Sequence, residues 1–325
     1  MSTASTAIVL ALAADARYAL PLAVTLRSAL AHLEPGRELV AYVIDDGLPP
    51  GTRDRIAAST LDPRFSVRWL PIPPAAFEGL PCWGQMPATT YSRLLLADLL
   101  PPSVQRVLWL DCDLLVLGNL AELWTSSLGG ACIGAVRDPF IPCLGSRLGL
   151  RGLDKLGLPA DVPYFNAGVL LIDLRRWRSS EVGPRAMEFL RRYRDRVFYQ
   201  DQAALNAVLS GCWTELDSRW NRAVSGAGAA DGGGDGREPA AGILHFCGSL
   251  KPWRFRGSGP LHQLYLQYVD RTEWAGWRPP SSISGSLLAF YQDSAIRHWL
   301  RPLEQRLFEV YMVSTRRYVN AHDES

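Results

Sequence analysis

The sequence predicts an α/β fold with a mostly parallel central sheet, and three observations support this prediction. Strand-like apolar runs alternate with helix-like segments through the first part of the chain. Acidic residues directly follow several of these runs, which is typical of sheets that bind ligands at the carboxyl ends of parallel strands. The chain has 325 residues, 48% hydrophobic and 20% charged, which is ordinary for a globular protein with a sizeable core.

The first predicted strand, residues 7–12, runs into a turn of small residues that includes Ala13 and Ala14 and carries Asp15 and Tyr18. Small side chains would let a ligand approach the backbone here. An aspartate can accept a hydrogen bond from a base N–H, and a tyrosine ring can stack on a planar ring. The alternative is a plain turn in which Asp15 caps the following helix.

The alternation of strands and helices continues beyond this turn. Pro21 opens a helix whose leucines at positions 22, 26, 30 and 33 fall near one face. The next predicted elements are a strand at 39–44 that ends in Asp45 and Asp46, a helix at 52–59, a strand at 65–70 and a helix at 89–100 that contains Arg93.

The most informative stretch is RVLWLDCDLLVL, residues 106–117, whose first half reads as a buried central strand with parallel neighbours. Asp111 and Asp113 appear where the apolar run ends. In an extended backbone, side chains two residues apart share one face, so both carboxylates could bind one cation while Cys112 points away. Two hard oxygen donors suit Mn²⁺ or Mg²⁺. The alternative is a strand-end turn whose aspartates bond the local backbone.

Further predicted elements carry polar residues that could face the same edge of the sheet. A strand at 131–136 precedes Asp138, and a strand at 164–173 begins near Asn166 and Ala167. The remaining elements are helices at 185–195 and 202–209, the second opened by Asp201 and Gln202, a short strand at 213–216, a glycine-rich loop at 225–242 and a strand at 243–246.

The last of these strands carries His245 and is followed by a glycine turn and Lys251, one of two lysines in the chain. A lone histidine on an apolar strand is more often a core residue than a ligand. Here an imidazole could complete a metal site with two carboxylates, and an ammonium group after a glycine turn suits a phosphate.

The composition of the chain indicates in which cellular compartment the protein is found and which class of partner it disfavours. The formal net charge of +2 gives no bulk electrostatic case for binding nucleic acid. The six cysteines are scattered without a C-x-x-C pair, which favours a reducing cytoplasm. The amino-terminal run lacks the basic residues of a signal peptide, and no apolar run approaches the roughly 18 residues that span a bilayer.

Four motifs in this order, LDCD, YFNAGVLLIDLRRW, YQDQAALN and HFCGSLKPW, together resemble glycosyltransferase family 8, the group of glycogenin and bacterial lipooligosaccharide α-galactosyltransferases. The resemblance covers about residues 8–253. It implies a nucleotide-sugar transferase of the GT-A fold that depends on a metal and retains the anomeric configuration of the sugar.

The resemblance also implies roles for individual residues. Asp111, Asp113 and His245 would bind Mn²⁺, with Mg²⁺ as the alternative ion. The residues implied to bind the donor are Ala13, Ala14, Asp15 and Tyr18 near the uracil, Cys112 beside the metal, Gly248 and Lys251 at the phosphates, and Arg93, Asp138, Asn166 and Ala167 at the sugar. Gln202 or Asp201 would lie under the anomeric carbon, so the catalytic candidates are Gln202, Asp201 and Asp138.

The expected architecture is a catalytic domain at 1–255 and a C-terminal helical extension at 256–325 that could touch a membrane peripherally, pack on the catalytic domain or contact a second subunit. UDP-glucose or UDP-galactose is the expected donor, and the acceptor could be a glycan, a lipid-linked sugar or a small molecule. The competing functions are a metal-dependent nucleotidyl or phosphoryl transferase, a silent nucleotide-sugar-binding scaffold and a self-glycosylating protein.

Overall fold

The computed structural model describes residues 7–81, 88–194, 197, 199–225, 228–229, 241–247, 251–257 and 259–280. The helices predicted beyond residue 280, most of the glycine-rich loop and Gly248 lie outside the described residues. Within the described part, no helix is both long and apolar enough to cross a membrane.

Eleven strands and nine α-helices are present in the described residues. The strands are β1 (Ala7–Asp15), β2 (Glu38–Asp46), β3 (Phe65–Pro71), β4 (Arg106–Leu110), β5 (Leu114–Val116), β6 (Ile133–Arg137), β7 (Phe165–Asp173), β8 (Trp213–Glu215), β9 (Arg222–Ser225), β10 (Gly228–Ala229) and β11 (Ile243–His245). The helices are α1 (Ala19–Ala31), α2 (Thr52–Ala58), α3 (Leu96–Leu99), α4 (Leu120–Trp124), α5 (Leu153–Leu156), α6 (Leu174–Ser179), α7 (Val182–Arg192), α8 (Gln200–Val208) and α9 (Pro260–Val269).

The central sheet has seven strands in the order β3-β2-β1-β4-β7-β6-β8. Strands β3, β2, β1 and β4 pair in parallel, and β8 pairs in parallel with β6. Strand β7 runs antiparallel to both of its neighbours, β4 and β6. The predicted α/β architecture with a mostly parallel sheet is therefore confirmed.

A smaller sheet of order β10-β9-β11-β5 adjoins the carboxyl end of β4. Strand β5 follows β4 after only three residues, Asp111–Asp113, and pairs antiparallel with β11 so that Leu114 is opposite His245. The chain therefore changes sheets at the two aspartates, and the pairing places the histidine beside them.

The core lies on both faces of the central sheet because apolar side chains alternate along its strands. In β1, Ile8, Leu10 and Leu12 are fully buried and pack on one face with α1, whereas Ala11 packs on the other face with α8 residues such as Leu205. Two packed layers of helices thus enclose the sheet and leave its strand ends to form a site.

Two local predictions from the sequence need correction. Residues 89–100 are not one α-helix: a 3₁₀ helix (Ala88–Leu95) precedes α3. Adjacent β-branched threonines disfavour an α-helical start, and contacts of Thr89 with Asp46 and of Arg93 with the sheet fix this segment instead. The central strand β4 is also not parallel on both sides, because it pairs antiparallel with β7.

Helix α9 packs against the same core cluster as β1 and α1, through side chains that include Tyr265, Leu266 and Val269. Trp274, beyond its end, is buried in that cluster as well. Residues 260–280 are therefore continuous with the core, while the domain division after residue 255 stays a prediction.

Candidate active site

The two aspartates of the LDCD motif and His245 meet at the junction of the two sheets. Each residue offers one ligand atom, and these atoms lie within 4.8 Å of one another. Asp111 and Asp113 occupy the link between β4 and β5, and His245 ends β11. The strand pairing thus brings together residues that are far apart in the sequence.

Asp113 is buried, and its two oxygens have different surroundings. Oδ2 accepts a hydrogen bond from Lys251. Oδ1 lies 3.2 Å from His245 Nε2 but has no hydrogen-bond partner among the described residues. Burial alone would raise the pKa of Asp113, but Lys251 and His245 outweigh it and lower this pKa well below its usual range. An ionised, unpartnered oxygen facing an imidazole nitrogen fits a bound divalent cation.

Asp111 is oriented by two donors that use the same oxygen. Trp109 Nε1 donates to Oδ1 at 2.9 Å, and Arg93 Nη2 donates to it at 2.8 Å. Burial raises the pKa of this carboxyl, and the charge of Arg93 opposes that effect. Because both donors bind Oδ1, the other oxygen can serve a cation.

Arg93 connects three elements around the site. Besides Asp111, its guanidinium donates to the carbonyl of Ala167 in β7 and forms an ion pair with Asp201 of α8, with 2.8 Å between Nε and Oδ2. The guanidinium also lies over the Trp109 ring, 4.9 Å from its centroid. The Arg93 side chain is thus buried and turned toward the site.

Asp138, Asp201 and Gln202 form the other side of the site. Gln202 Nε2 donates to Asp138 Oδ2 at 3.0 Å, and Gln202 Oε1 accepts from the backbone N–H of Ala167 at 2.9 Å. Asp138 Oδ1 accepts the N–H groups of Phe140 and Ile141. Burial raises the pKa of Asp201 to about 6, although Arg93 partly opposes the shift.

A chain of side-chain hydrogen bonds links the Asp138 carboxylate to His245. Asn166 Nδ2 donates to Asp138 Oδ2 at 3.0 Å, and Asn221 Nδ2 donates to Asn166 Oδ1 at 2.8 Å. Asn221 Oδ1 lies 2.9 Å from His245 Nδ1. The four residues are all buried. The sugar-side and metal-side residues therefore belong to one network.

Gly168 allows β7 to lie close to the His245 ring. A Cβ atom at this position would lie 2.3 Å from Cε1 of His245 and 3.1 Å from Oδ1 of Asn166. The pairing of β6 with β7 is also irregular here, since Ala135 is opposite Leu170 while Val136 is opposite Asn166. Close approach to His245 and an irregularity in the strand pairing thus occur together at this Asn-Ala-Gly sequence.

In the turn after β1, the Asp15 carboxylate is bonded to neighbouring residues of the same turn. Asp15 accepts from the N–H groups of Arg17 and Tyr18 and pairs with the Arg17 side chain at 2.7 Å, so it caps the 3₁₀ helix (Ala16–Tyr18). The Tyr18 ring packs edge-on against Trp253, 5.8 Å between centroids. The structure therefore shows Asp15 in the capping role, and its contact with a uracil stays a prediction.

The same turn touches the metal-side loop. Cys112 Sγ donates to the carbonyl of Ala13 at 3.1 Å, and Ala14 is buried. Lys251 donates to Asp113 and to the carbonyl of Phe246. Burial lowers a lysine pKa, but Asp113 outweighs this and raises the pKa of Lys251, which keeps the ammonium charged. Gly248 lies outside the described residues.

Sequence reasoning missed two asparagines at this site. Asn221 precedes β9 in a stretch without a recognisable motif, so its role follows only from the fold. Asn206 lies in the YQDQAALN motif, three residues beyond Ala203, and was not assigned. It accepts from the N–H of Phe165 and donates to the carbonyl of the same residue, which fixes α8 against β7.

Comparison with known proteins gives a consistent family. The model of glycosyl transferase family 8 matches residues 9–257. General stress protein A of Bacillus subtilis is 29% identical over 273 residues, which are 80% of this chain and 92% of that protein. Probable galacturonosyltransferase-like 6 of Arabidopsis thaliana is 34% identical over 175 residues, 50% of this chain and 49% of that protein.

Among solved structures, the galactosyltransferase LgtC in complex with donor and acceptor sugar analogs superposes with a TM-score of 0.69. It is 28% identical, and the match covers 82% of this chain and 96% of that one. The bifunctional glycosyltransferase WbbM, at 18% identity and a TM-score of 0.68, shares the fold.

Proposed function

The chain belongs to glycosyl transferase family 8, has the GT-A fold and is a hexosyltransferase; from this premise we propose that it transfers glucose or galactose from a UDP-sugar, using Mn²⁺. The observation that most strongly supports this proposal is the group of Asp111, Asp113 and His245, in which the buried Oδ1 of Asp113 has no hydrogen-bond partner among the described residues. Mg²⁺ is the alternative ion, although an imidazole ligand favours a transition metal.

In this proposal, Asp111, Asp113 and His245 hold the cation, which supplies positive charge to the leaving diphosphate. Lys251 adds a second positive charge for the same phosphates. The Tyr18 ring and the backbone of Ala13 and Ala14 contact the uracil.

Arg93, Asp138, Asn166 and Ala167 line the sugar in this proposal. Two of them hold the Gln202 amide at both ends: Asp138 accepts from its nitrogen, and the N–H of Ala167 donates to its oxygen. Such an amide is a poor nucleophile. Asp201 is already paired with Arg93.

We therefore propose transfer with retention by attack from the leaving-group side. The bond between the anomeric carbon and the phosphate oxygen breaks, the acceptor oxygen bonds that carbon, and the acceptor proton passes to the phosphate. A glycosyl adduct trapped on Asp201 would contradict this mechanism.

The proposed compartment is the cytoplasm, with an unidentified glycan, lipid-linked or small-molecule acceptor. The five cysteines that the structure describes are all free, which supports a reducing environment. Peripheral membrane contact through residues beyond 280 remains part of the proposal.

The decisive experiment measures UDP release from a panel of UDP-sugars with Mn²⁺ and with a chelator. We expect one or two UDP-hexoses to be hydrolysed slowly without acceptor, and Asp113→Asn to reduce release at least about 100-fold. Asp154→Asn, an exposed carboxylate in α5, is the control and should retain activity. Release that is unaffected by the chelator and by Asp113→Asn would contradict the proposed metal site.

A further inference from the structure

The nitrogen and oxygen of the Asn166 amide can be assigned in only one way, because the groups on either side of the amide have fixed roles as donor or acceptor. The Gly168 backbone N–H can only donate, and it faces Asn166 Oδ1 at 2.9 Å. Asp138 Oδ2 faces Asn166 Nδ2 and also receives Gln202 Nε2. The backbone N–H groups of Phe140 and Ile141, which can only donate, hold the other oxygen of Asp138, so the Asn166 nitrogen lies on the Asp138 side and its oxygen on the Gly168 side. The orientation of the Asn166 amide is thereby set.

The same direction continues to the histidine. Asn166 Oδ1 is an acceptor, so the Asn221 group that contacts it at 2.8 Å is the amide nitrogen. The Asn221 oxygen then faces His245 Nδ1 at 2.9 Å. An amide oxygen cannot donate, so the proton must lie on Nδ1. The opposite nitrogen, Nε2, is the one that faces Asp113 Oδ1.

We propose that Asn221 is a positioning residue that keeps the proton of His245 on Nδ1 and so reserves the Nε2 lone pair for the divalent cation. This inference rests on the proposed function, because it concerns a proposed ligand. The chemistry is general: the group that accepts from one ring nitrogen decides which nitrogen can bind a metal. Since Asn221 itself is held through Asn166 to Asp138, the sugar side of the site helps to orient the metal side.

Two substitutions of similar size separate this role from a structural one. Asn221→Leu removes the acceptor for Nδ1–H, whereas Asn221→Asp keeps an acceptor but loses the donor to Asn166. We expect the Mn²⁺ dissociation constant, measured by electron paramagnetic resonance of the free ion, to rise about 10- to 100-fold in Asn221→Leu and to stay within about 3-fold of wild type in Asn221→Asp. Both variants should lose stability, since each leaves a buried polar group without its partner.

The second measurement does not involve a metal. In ¹⁵N-histidine-labelled protein at a pH where the ring is neutral, the His245 signal, assigned with His245→Gln, should show the proton on Nδ1 in wild type and in Asn221→Asp. Asn221→Leu should shift the proton population toward Nε2. A wild-type ring that is neutral and carries its single proton on Nε2 overturns the inference.

Loss of Mn²⁺ affinity in proportion to lost stability, equal in the two variants, also overturns the inference. Wild-type protein that binds no Mn²⁺ would instead contradict the proposed function, and the position of the ring proton would still decide the role of Asn221.

Discussion

Individual residues define the geometry of this site, and at Gly168 there is no room for a side chain. Gly168→Ala would drive a methyl group into the His245 ring. We expect Mn²⁺ affinity to fall at least about 10-fold and the free energy of unfolding to fall by about 1–3 kcal/mol. Mn²⁺ titration and urea denaturation measure the two effects.

The control for Gly168→Ala is Gly134→Ala in the adjoining strand β6. There the added methyl meets the flexible end of Leu128 at 2.9 Å. It should cost stability without changing metal affinity. Equal metal affinity in both variants would show that the approach of Gly168 to His245 has no functional consequence.

Asp201 gives the protein a specific pH dependence of stability. Its folded pKa of about 6 exceeds the ordinary value of 3.8 because the side chain is buried. Between these values the folded state binds more protons than the unfolded state, so stability falls as pH rises through this window and stays lower above it.

The wild type should therefore lose about 2–3 kcal/mol of unfolding free energy relative to Asp201→Asn between pH 4 and pH 8. Denaturant titrations of both proteins at several pH values test this expectation. A difference that is constant across the range would mean that Asp201 titrates normally.

At the scale of elements, Arg178 of α6 connects segments of the chain, a role that the neighbouring YFNAGVLLIDLRRW motif did not predict. It donates to the carbonyls of Ala97, Leu100, Pro101 and Val104. These carbonyls end α3 and form the segment that leads into β4, so one guanidinium fixes the approach to the aspartate strand.

Arg178→Ala should lower the free energy of unfolding by about 3 kcal/mol, because it leaves several carbonyls without a charged donor. Thermal and urea denaturation check this. Arg185→Ala, which removes one exposed bond to Ser180, should change stability by less than about 0.5 kcal/mol. Similar losses in both variants would argue against the bridging role.

Most elements could be predicted from the sequence, and the exceptions have physical causes. Continuous apolar runs identified β1, β4 and β7 because buried strands lack polar alternation. The same runs contain no information on direction, which is why the reversal of β7 was not predictable. That reversal brings Asn166, near the start of β7, to the edge where β4 ends.

The candidate site was predictable only where chemistry and position coincided in one motif. Asp111, Asp113 and His245 were singled out because charged or ligating groups interrupt apolar runs. Asn221 belongs to a 3₁₀ turn (Ser218–Asn221) and comes near His245 only through the parallel pairing of β9 with β11. Such a role depends on tertiary structure and leaves no local signal.

At the scale of the whole molecule, we expect helix α9 to be required for a stable core, because its buried side chains belong to the core cluster of β1 and α1. A chain truncated after residue 257 loses Tyr265, Val269 and Trp274 from the core cluster of β1, and we expect it to be insoluble or unfolded. A chain truncated after residue 280 keeps every described contact and should retain a cooperative unfolding transition. Circular dichroism and thermal melts of both chains test this, and a stable shorter chain would contradict it.

The ion pair between Lys251 and Asp113 joins positions 138 residues apart, and it bears on the order of events during synthesis. A growing chain that ends before β11 already contains both aspartates but neither His245 nor Lys251. A ligand held jointly by these groups adds no stability to such a fragment, because stabilisation requires selective binding to the folded form. Contacts between residues so far apart in the sequence also form slowly during folding. The ligand can thus stabilise only a chain that extends past residue 251, and it would act late, by holding β11 and Lys251 against the link between β4 and β5.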